Sequence, residues 1–271
     1  MPEESGRITV PDIRARKNRG KIVCLTAYTT PIARLLDPHV DVLLVGDTVG
    51  MVVHGLPSTV GVTVEMMILH AQAVMRGSSR ALVVVDLPFG SYEESPQVAH
   101  RTASRIMRET GCQAVKVESG KGIAETIAFL VERGIPVMGH VGMRPQAVNI
   151  EGGFKAKGRA EDERDRVIEE ALAADQAGAF AIVIESVARD LADEITAKVS
   201  APTIGIGASP DCDGQVLVTD DMLGIFDWTP KFVRRYGNLR ETISRAAAAY
   251  AADVRSGSFP DRAELYTLRK K

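Results

Sequence analysis

The chain is short of cysteine, of net charge and of long apolar runs, and each shortage removes a class of protein. Cys24, Cys112 and Cys212 are the only cysteines, far apart and without a C-x-x-C, so neither a disulfide scaffold nor a zinc site is indicated. Such thiols suit a reducing cytoplasm, the expected location. The formal net charge is −2, so no global field favours nucleic acid or an anionic membrane as a partner. No run approaches the roughly 18 apolar residues of a membrane span. The first 21 residues are polar and lack the apolar core of a signal peptide. Arg14, Arg16, Lys17, Arg19 and Lys21 cluster there and read as a solvated leader rather than a nucleic-acid arm. No Pro/Ser-rich linker divides the chain, and no G-x-G-x-x-G follows the first strand, which argues against an open doubly wound sheet.

What the chain has is alternation. Short Val/Ile-rich runs at 22–27, 42–45, 81–85, 114–117, 136–139, 179–184 and 202–206 read as strands buried on both faces of a parallel sheet. Helix-like stretches at 64–75, 95–110, 123–133, 161–177, 187–199 and 239–255 separate or follow them, with Gly134, Gly178 and Gly257 as C-terminal caps. The expected fold is α/β, a single-domain (β/α)₈ TIM barrel, whose usual size matches 271 residues. Its eighth strand is expected near 222–226. The domain reading is a leader over 1–20, a catalytic barrel over 21–260 and a tail over 261–271. Residues 142–157 read as a long irregular loop, either mobile or substrate-covering.

The chemistry sits at strand ends. Asp47 and Thr48 follow the second strand, Asp86 the third, Lys116 and Glu118 end the fourth, His140 the fifth and Glu185 the sixth. In a barrel these C-terminal ends meet at one mouth. Lys116 and Glu118 are two apart and share one face. Burying such charges is costly unless they are paired or bind a cation. Asp47, Asp86 and Glu118 form an all-oxygen set, which favours Mg²⁺. His140 reads as a ligand, a proton shuttle or an ordinary buried histidine. His70 reads as structural; His54 and Tyr28 as pocket lining. Gly205–Ser209 and Ser119–Gly122 are glycine-rich turns that either cradle an anion or simply turn the chain.

At these residues the sequence resembles the ketopantoate hydroxymethyltransferase family. Matching segments run from "LTAY" at Leu25 to "SGSFP" at Ser256, and include "VLLVGDTVGMVVHG", "ALVVVDLPFGSY", "AVKVESG", "GIPVMGHVGMRPQ", "NIEGGFKAKGR", "GAFAIVIES" and "PTIGIGASPDCDGQVLV". The resemblance implies a (β/α)₈ barrel assembled as a homo-oligomer, commonly a decamer. It implies Mg²⁺ on Asp47 and Asp86, with Glu118 as a further acidic residue at the metal. It implies 2-oxo acid contacts from Asp47, Thr48, Asp86 and Lys116, and Glu185 as proton acceptor. The implied reaction transfers a hydroxymethyl group from the co-substrate 5,10-methylenetetrahydrofolate to 3-methyl-2-oxobutanoate, giving 2-dehydropantoate for pantothenate synthesis through a metal-stabilised enolate.

Several positions depart from the family pattern. Thr48 replaces its usual Ser, Ser119 a Gly, Ser209 a Gly, and Arg144 and Lys157 bring charge into the "GLTPQ" and "VQGR" segments. The C-terminal "EHS" is absent. Two alternatives therefore stay open. One is another Mg²⁺–enolate barrel of the isocitrate lyase and phosphoenolpyruvate mutase type, acting on a different 2-oxo acid. The other is a catalytically silent homologue.

Overall fold

The computed structural model describes residues 6–158 and 160–266. The first five residues of the expected leader, Arg159 and the last five residues of the tail lie outside them. Eight parallel strands close into a barrel in chain order: β1 (Ile22–Thr26), β2 (Val42–Val45), β3 (Leu82–Asp86), β4 (Ala114–Glu118), β5 (Val137–Gly142), β6 (Ala181–Glu185), β7 (Thr203–Ile206) and β8 (Gly214–Leu217). The helices are α1 (Val10–Arg14), α2 (Thr30–Leu36), α3 (Val49–Val52), α4 (Val64–Gly77), α5 (Pro96–Thr110), α6 (Ile123–Val131), α7 (Val148–Glu151), α8 (Glu161–Gln176), α9 (Arg189–Lys198), α10 (Thr219–Met222) and α11 (Leu239–Ser256).

Seven strands fall where the apolar runs place them. The eighth does not: it is Gly214–Leu217, well before the expected 222–226. Residues 207–213, which lead to it from β7, contain no helix, so it arrives sooner than a regular βα rhythm predicts. Its sequence also hides it, because it opens on Gly214 and turns Gln215 to solvent. The glycine is required by packing. A Cβ at 214 would stand 2.5 Å from the Ile22 carbonyl oxygen and 2.7 Å from Ile204 Cδ1.

Strand parity divides the interior. Leu43, Val45, Val83, Val85, Val115, Val117, Val137, Val141, Ile182 and Ile184 belong to the hydrophobic cluster that also holds Met67, Val74, Ile106, Ile127, Ile168, Leu191 and Ile195 of the surrounding helices. The alternate positions Leu44, Val84, Asp86, Lys116, Glu118, Met138 and His140 are equally buried and point into the barrel. Burial of the helix-facing set supplies most of the driving force, at about 25 cal/mol per Å² of apolar surface removed from water.

The opposite end of the barrel is sealed by residues 7–21. Helix α1 starts from a capping box between Thr9 and Asp12 and buries Ile13. Lys17 reaches Asp213 at 3.0 Å and Arg16 reaches Asp41 at 2.9 Å. Lys21 donates to the carbonyls of Pro210 and Cys212. Arg16, Lys17 and Lys21 are thus anchored to the barrel, which corrects the solvated reading for these three, while Arg14 and Arg19 are exposed as that reading expects. The barrel unit ends at Thr219, and residues 220–266 belong to a second compact unit. In that unit α11 buries none of its residues. No helix among the described residues is long and apolar enough to cross a membrane.

Candidate active site

Register builds the site. Asp86 on β3 lies level with Lys116 on β4, and Glu118 on β4 level with His140 on β5. The first alignment makes an ion pair, Lys116 Nζ to Asp86 Oδ1, of 3.0 Å with both side chains buried. The second sets the imidazole between two carboxylates. His140 Nδ1 is 3.8 Å from Glu118 Oε1, and Nε2 is 3.2 Å from Glu185 Oε2. Neither ring nitrogen reaches good hydrogen-bond geometry.

Gly142 on β5 is level with Glu185 on β6. Its φ is +94°, and a Cβ there would collide with the Glu185 backbone carbonyl, so only glycine lets the two strand ends pass so close. Ser186 follows Glu185 with φ +50°, an uncommon conformation for a non-glycine residue. It is held by its own N–H donating to the Ile206 carbonyl and by its carbonyl accepting from Lys157 N–H.

Asp47 joins the cluster from the turn after β2. Its backbone N–H donates to Asp86 Oδ2 at 3.1 Å. Gln146 ties the other carboxylates together. Its Nε2 donates to Asp47 Oδ2 at 2.8 Å and to the Leu87 carbonyl at 2.9 Å, and its backbone N–H meets Glu118 Oε2 at 3.2 Å. Tyr92 donates its hydroxyl to Gln146 Oε1 at 2.7 Å and accepts from Glu118 N–H at 3.2 Å. Gln146 and Tyr92 escape a search for charged strand ends because both are neutral and sit in loops. Their signal was present only in the motifs that contain them. Thr48 has its hydroxyl 2.7 Å from the Tyr28 hydroxyl. Tyr28 is held from behind by His70 Nδ1 at its carbonyl, and His70 Nε2 is 2.8 Å from His54 Nε2. His70 is therefore structural, and His54 supports it from the surface.

The electrostatics are uneven. Burial first, and the Asp86 charge second, push the Asp47 carboxyl up to about 7, against Lys116 and Gln146. Burial and Asp47 hold Glu118 well above the usual carboxylate range. Burial works against the Lys116 ammonium, but Asp86, Asp47 and Glu118 outweigh it and raise its pKa. Burial and Lys116 lower His140, which favours a neutral ring. Four carboxylates thus face one ammonium, and the surplus negative charge calls for protons or a cation.

Among the described residues, no three His, Cys, Asp or Glu side chains converge enough to hold a metal ion alone. Mg²⁺ does not need such a cage, because it takes one or two carboxylates and completes its shell with water and substrate oxygens. Asp47 and Asp86, mutually repelling at the mouth, fit that donor set.

The other sequence candidates separate from this cluster. Lys157 pairs with Glu151 at 3.0 Å and Glu163 at 3.6 Å. Arg144 pairs with Glu151 at 3.0 Å and donates to the Ser119 carbonyl at 2.7 Å. Ser209 donates to Asp193, and Gly205 packs on Gln215, so the Gly205–Ser209 turn is accounted for by packing. The three cysteines are free and buried, and burial pushes the Cys112 thiol up to about 11.

Comparison with known proteins follows the same outline. Residues 7–262 match the family described as ketopantoate hydroxymethyltransferase. A 3-methyl-2-oxobutanoate hydroxymethyltransferase of Hyphomonas neptunium is 69% identical over 99% of this chain and 98% of its own. The enzyme of that name from Phenylobacterium zucineum is 68% identical over 97% and 96%. Among solved structures, phosphonopyruvate hydrolase with oxalate and Mg²⁺ superposes with a TM-score of 0.60 at 14% identity, covering 96% of this chain and 93% of that one, a likeness of fold alone. With the profile and both relatives matched along nearly its whole length, the chain belongs to the ketopantoate hydroxymethyltransferase family.

Proposed function

We propose that this hydroxymethyltransferase moves a one-carbon unit from 5,10-methylenetetrahydrofolate to 3-methyl-2-oxobutanoate, giving 2-dehydropantoate for pantothenate synthesis, with Mg²⁺ at Asp47 and Asp86. The observation that carries the reading is the buried set of Asp47, Asp86, Lys116 and Glu118 with the partly buried Glu185 beside it at one mouth, in a chain whose relatives bear that enzyme's name. Bound Mg²⁺ supplies Lewis acidity that stabilises negative charge on the substrate's carboxylate and 2-oxo oxygens. Lys116, fixed by Asp86, offsets the charge of the substrate carboxylate and sets its register. The Thr48 hydroxyl, oriented by Tyr28, contacts the same group.

Glu185 takes the C3 proton. The C–H electron pair becomes the enolate double bond, and C3 then bonds to the donor's methylene carbon. One of that carbon's two bonds to folate nitrogen breaks as the new C–C bond forms, the second breaks as water supplies the hydroxyl, and the two folate nitrogens end protonated, by the proton taken from C3 and by one from that water. His140 Nε2 stands 3.2 Å from Glu185 Oε2, where a small turn of either side chain brings them into a hydrogen bond. Glu118 acts at one remove, gripping the Gln146 backbone whose side chain orients Asp47.

Buried cysteines, two of them (Cys24 and Cys112) with thiol pKa values raised by burial, speak against a lyase reading that needs a reactive thiolate. The enzyme acts in the cytoplasm as a homo-oligomer, a state supported by the exposed Ile243, Tyr250 and Val254 on α11. The test is product formation. Purified protein with both substrates and Mg²⁺ yields 2-dehydropantoate, and chelation stops it reversibly. Turnover of a different 2-oxo acid in preference, or turnover indifferent to chelation, rejects the reading.

A further inference from the structure

A pocket of about 450 Å³ lies between α6 and α8, outside the cluster just described. Ile127 and Ala174 are its buried lining, with Ala124 and Ala173 beside them. Its charged lining is Lys121, Arg144 and Arg166, with Glu169 and Glu170 also present. Arg144 is already occupied by Glu151 and the Ser119 carbonyl. Among the described residues neither Lys121 nor Arg166 makes a hydrogen bond or an ion pair within 4 Å, and Arg166 shares with Arg144 the electrostatic pull on Glu170.

Two further observations point to a missing acceptor. Ser119 lines the pocket, is 6% exposed, and carries a buried hydroxyl with no partner. Helix α6 starts after Gly122 with no side-chain cap; the Ile123 N–H donates to the Gly120 carbonyl at 3.1 Å, and no side chain accepts from the rest of the first turn. A helix N-terminus, the spare Ser119 hydroxyl and the cations Lys121, Arg144 and Arg166, which outnumber Glu169 and Glu170, together make a donor-rich site that suits carboxylates. Gly120 keeps this wall open. A Cβ there would stand 2.9 Å from Arg144 Nη1.

We propose that this pocket binds the glutamyl carboxylates of the one-carbon donor. The inference rests on the folate reading above and extends it to a site. The donor's acid end must be kept away from the carboxylate-rich mouth, which would repel it. Ser119 directly follows Glu118, so the pocket begins one residue from that mouth. An extended donor then presents its methylene carbon at the mouth and its glutamyl end between α6 and α8.

The test is equilibrium binding by calorimetry to the full chain. The probes are tetrahydropteroate, which lacks glutamate, and tetrahydropteroyl mono- and triglutamate. The wild type should bind the glutamylated compounds more tightly than the pteroate. In a Lys121→Ala/Arg166→Ala double variant that advantage should fall about tenfold, with pteroate affinity unchanged. In steady state KM for the glutamylated donor should rise by a similar factor while kcat stays within about twofold. Donor binding insensitive to the double substitution, or weakened equally for pteroate, overturns the inference. So does inorganic phosphate that binds at these residues without competing with the glutamylated donor. If the wild type binds none of the three compounds yet still exchanges the C3 proton of the 2-oxo acid, the folate reading itself has failed, and the inference falls with it.

Discussion

The two ends of the barrel bury the same kind of side chain to opposite effect. At the N-terminal end Asp37 accepts from the Ser78 hydroxyl at 2.6 Å and from the backbone N–H groups of Ser79, Arg80 and Ala81 at 3.0, 2.9 and 2.8 Å. Asp213 accepts from Asn18 and Thr203 N–H groups and from Lys17. Burial opposes ionisation there too, but these donors outweigh it and both pKa values are lowered. At the C-terminal end Asp47 and Glu118 have too few donors and too many like charges, and both are raised. Saturated carboxylates hold a structure together. Unsaturated ones store unfavourable charge that a cation, a proton or a substrate relieves, and such groups mark functional sites.

The contrast can be broken most severely at Glu185. Glu185→Gln should cut turnover about 10³-fold, since the amide cannot accept the C3 proton, while binding of the 2-oxo acid persists. Loss of binding with proton removal intact would assign Glu185 to substrate binding instead. Asp37→Ala tests the other end. It leaves a hydroxyl and three N–H groups without their acceptor and should cost about 3 kcal/mol of stability in denaturant titration, with kcat per folded molecule unchanged.

Asp47→Asn sharpens the comparison by reversing the usual sign. In the folded protein the Asp47 carboxyl titrates at about 7, above its unfolded value. The folded state therefore holds a proton that the unfolded state releases. Stability is gained as pH falls through about 7 and lost as pH rises through it, whereas Asp37 and Asp213 stabilise above the ordinary carboxylate range and fail on acidification. At pH 8 without Mg²⁺ the Asn variant should thus be more stable than wild type by on the order of 1–2 kcal/mol, and should lose the stabilisation that Mg²⁺ confers. Equal stability of the two proteins at that pH would place the excess charge elsewhere. The smallest effect is expected at Tyr92→Phe, which releases Gln146 Oε1 and should cost about 1 kcal/mol in stability with a modest fall in kcat.

Much of this was legible in the sequence because barrel strands buried on both faces read as apolar runs, and a charge at the end of such a run has nowhere to go but the mouth. Lys116 and Glu118 share a face by parity alone. Asp86 meets Lys116 because β3 and β4 are in register, which no local pattern states. Strand β8 was missed because it lacks both a preceding helix and an apolar run, and its Gly214 is explained only by Ile22 and Ile204 across the sheet. Gln146 and Tyr92 were missed for a different reason. Neutral groups gain importance only from the charges they touch, and Gln146 touches Asp47 from 99 residues away in the chain. Arg16 and Lys17 looked solvated because their acceptors lie elsewhere in the chain, Asp41 beyond the first strand and Asp213 196 residues away.

The central claim is that the raised, cation-seeking carboxylates and Glu185 together remove a proton from the carbon beside a 2-oxo group. The direct test is to incubate the protein with 3-methyl-2-oxobutanoate in D₂O, with and without Mg²⁺ and without any one-carbon donor, and to follow the C3–H signal by NMR. The account predicts washout that requires Mg²⁺ and disappears in Glu185→Gln. A C3–H signal that persists with Mg²⁺ present, or washes out equally in the variant, would contradict it.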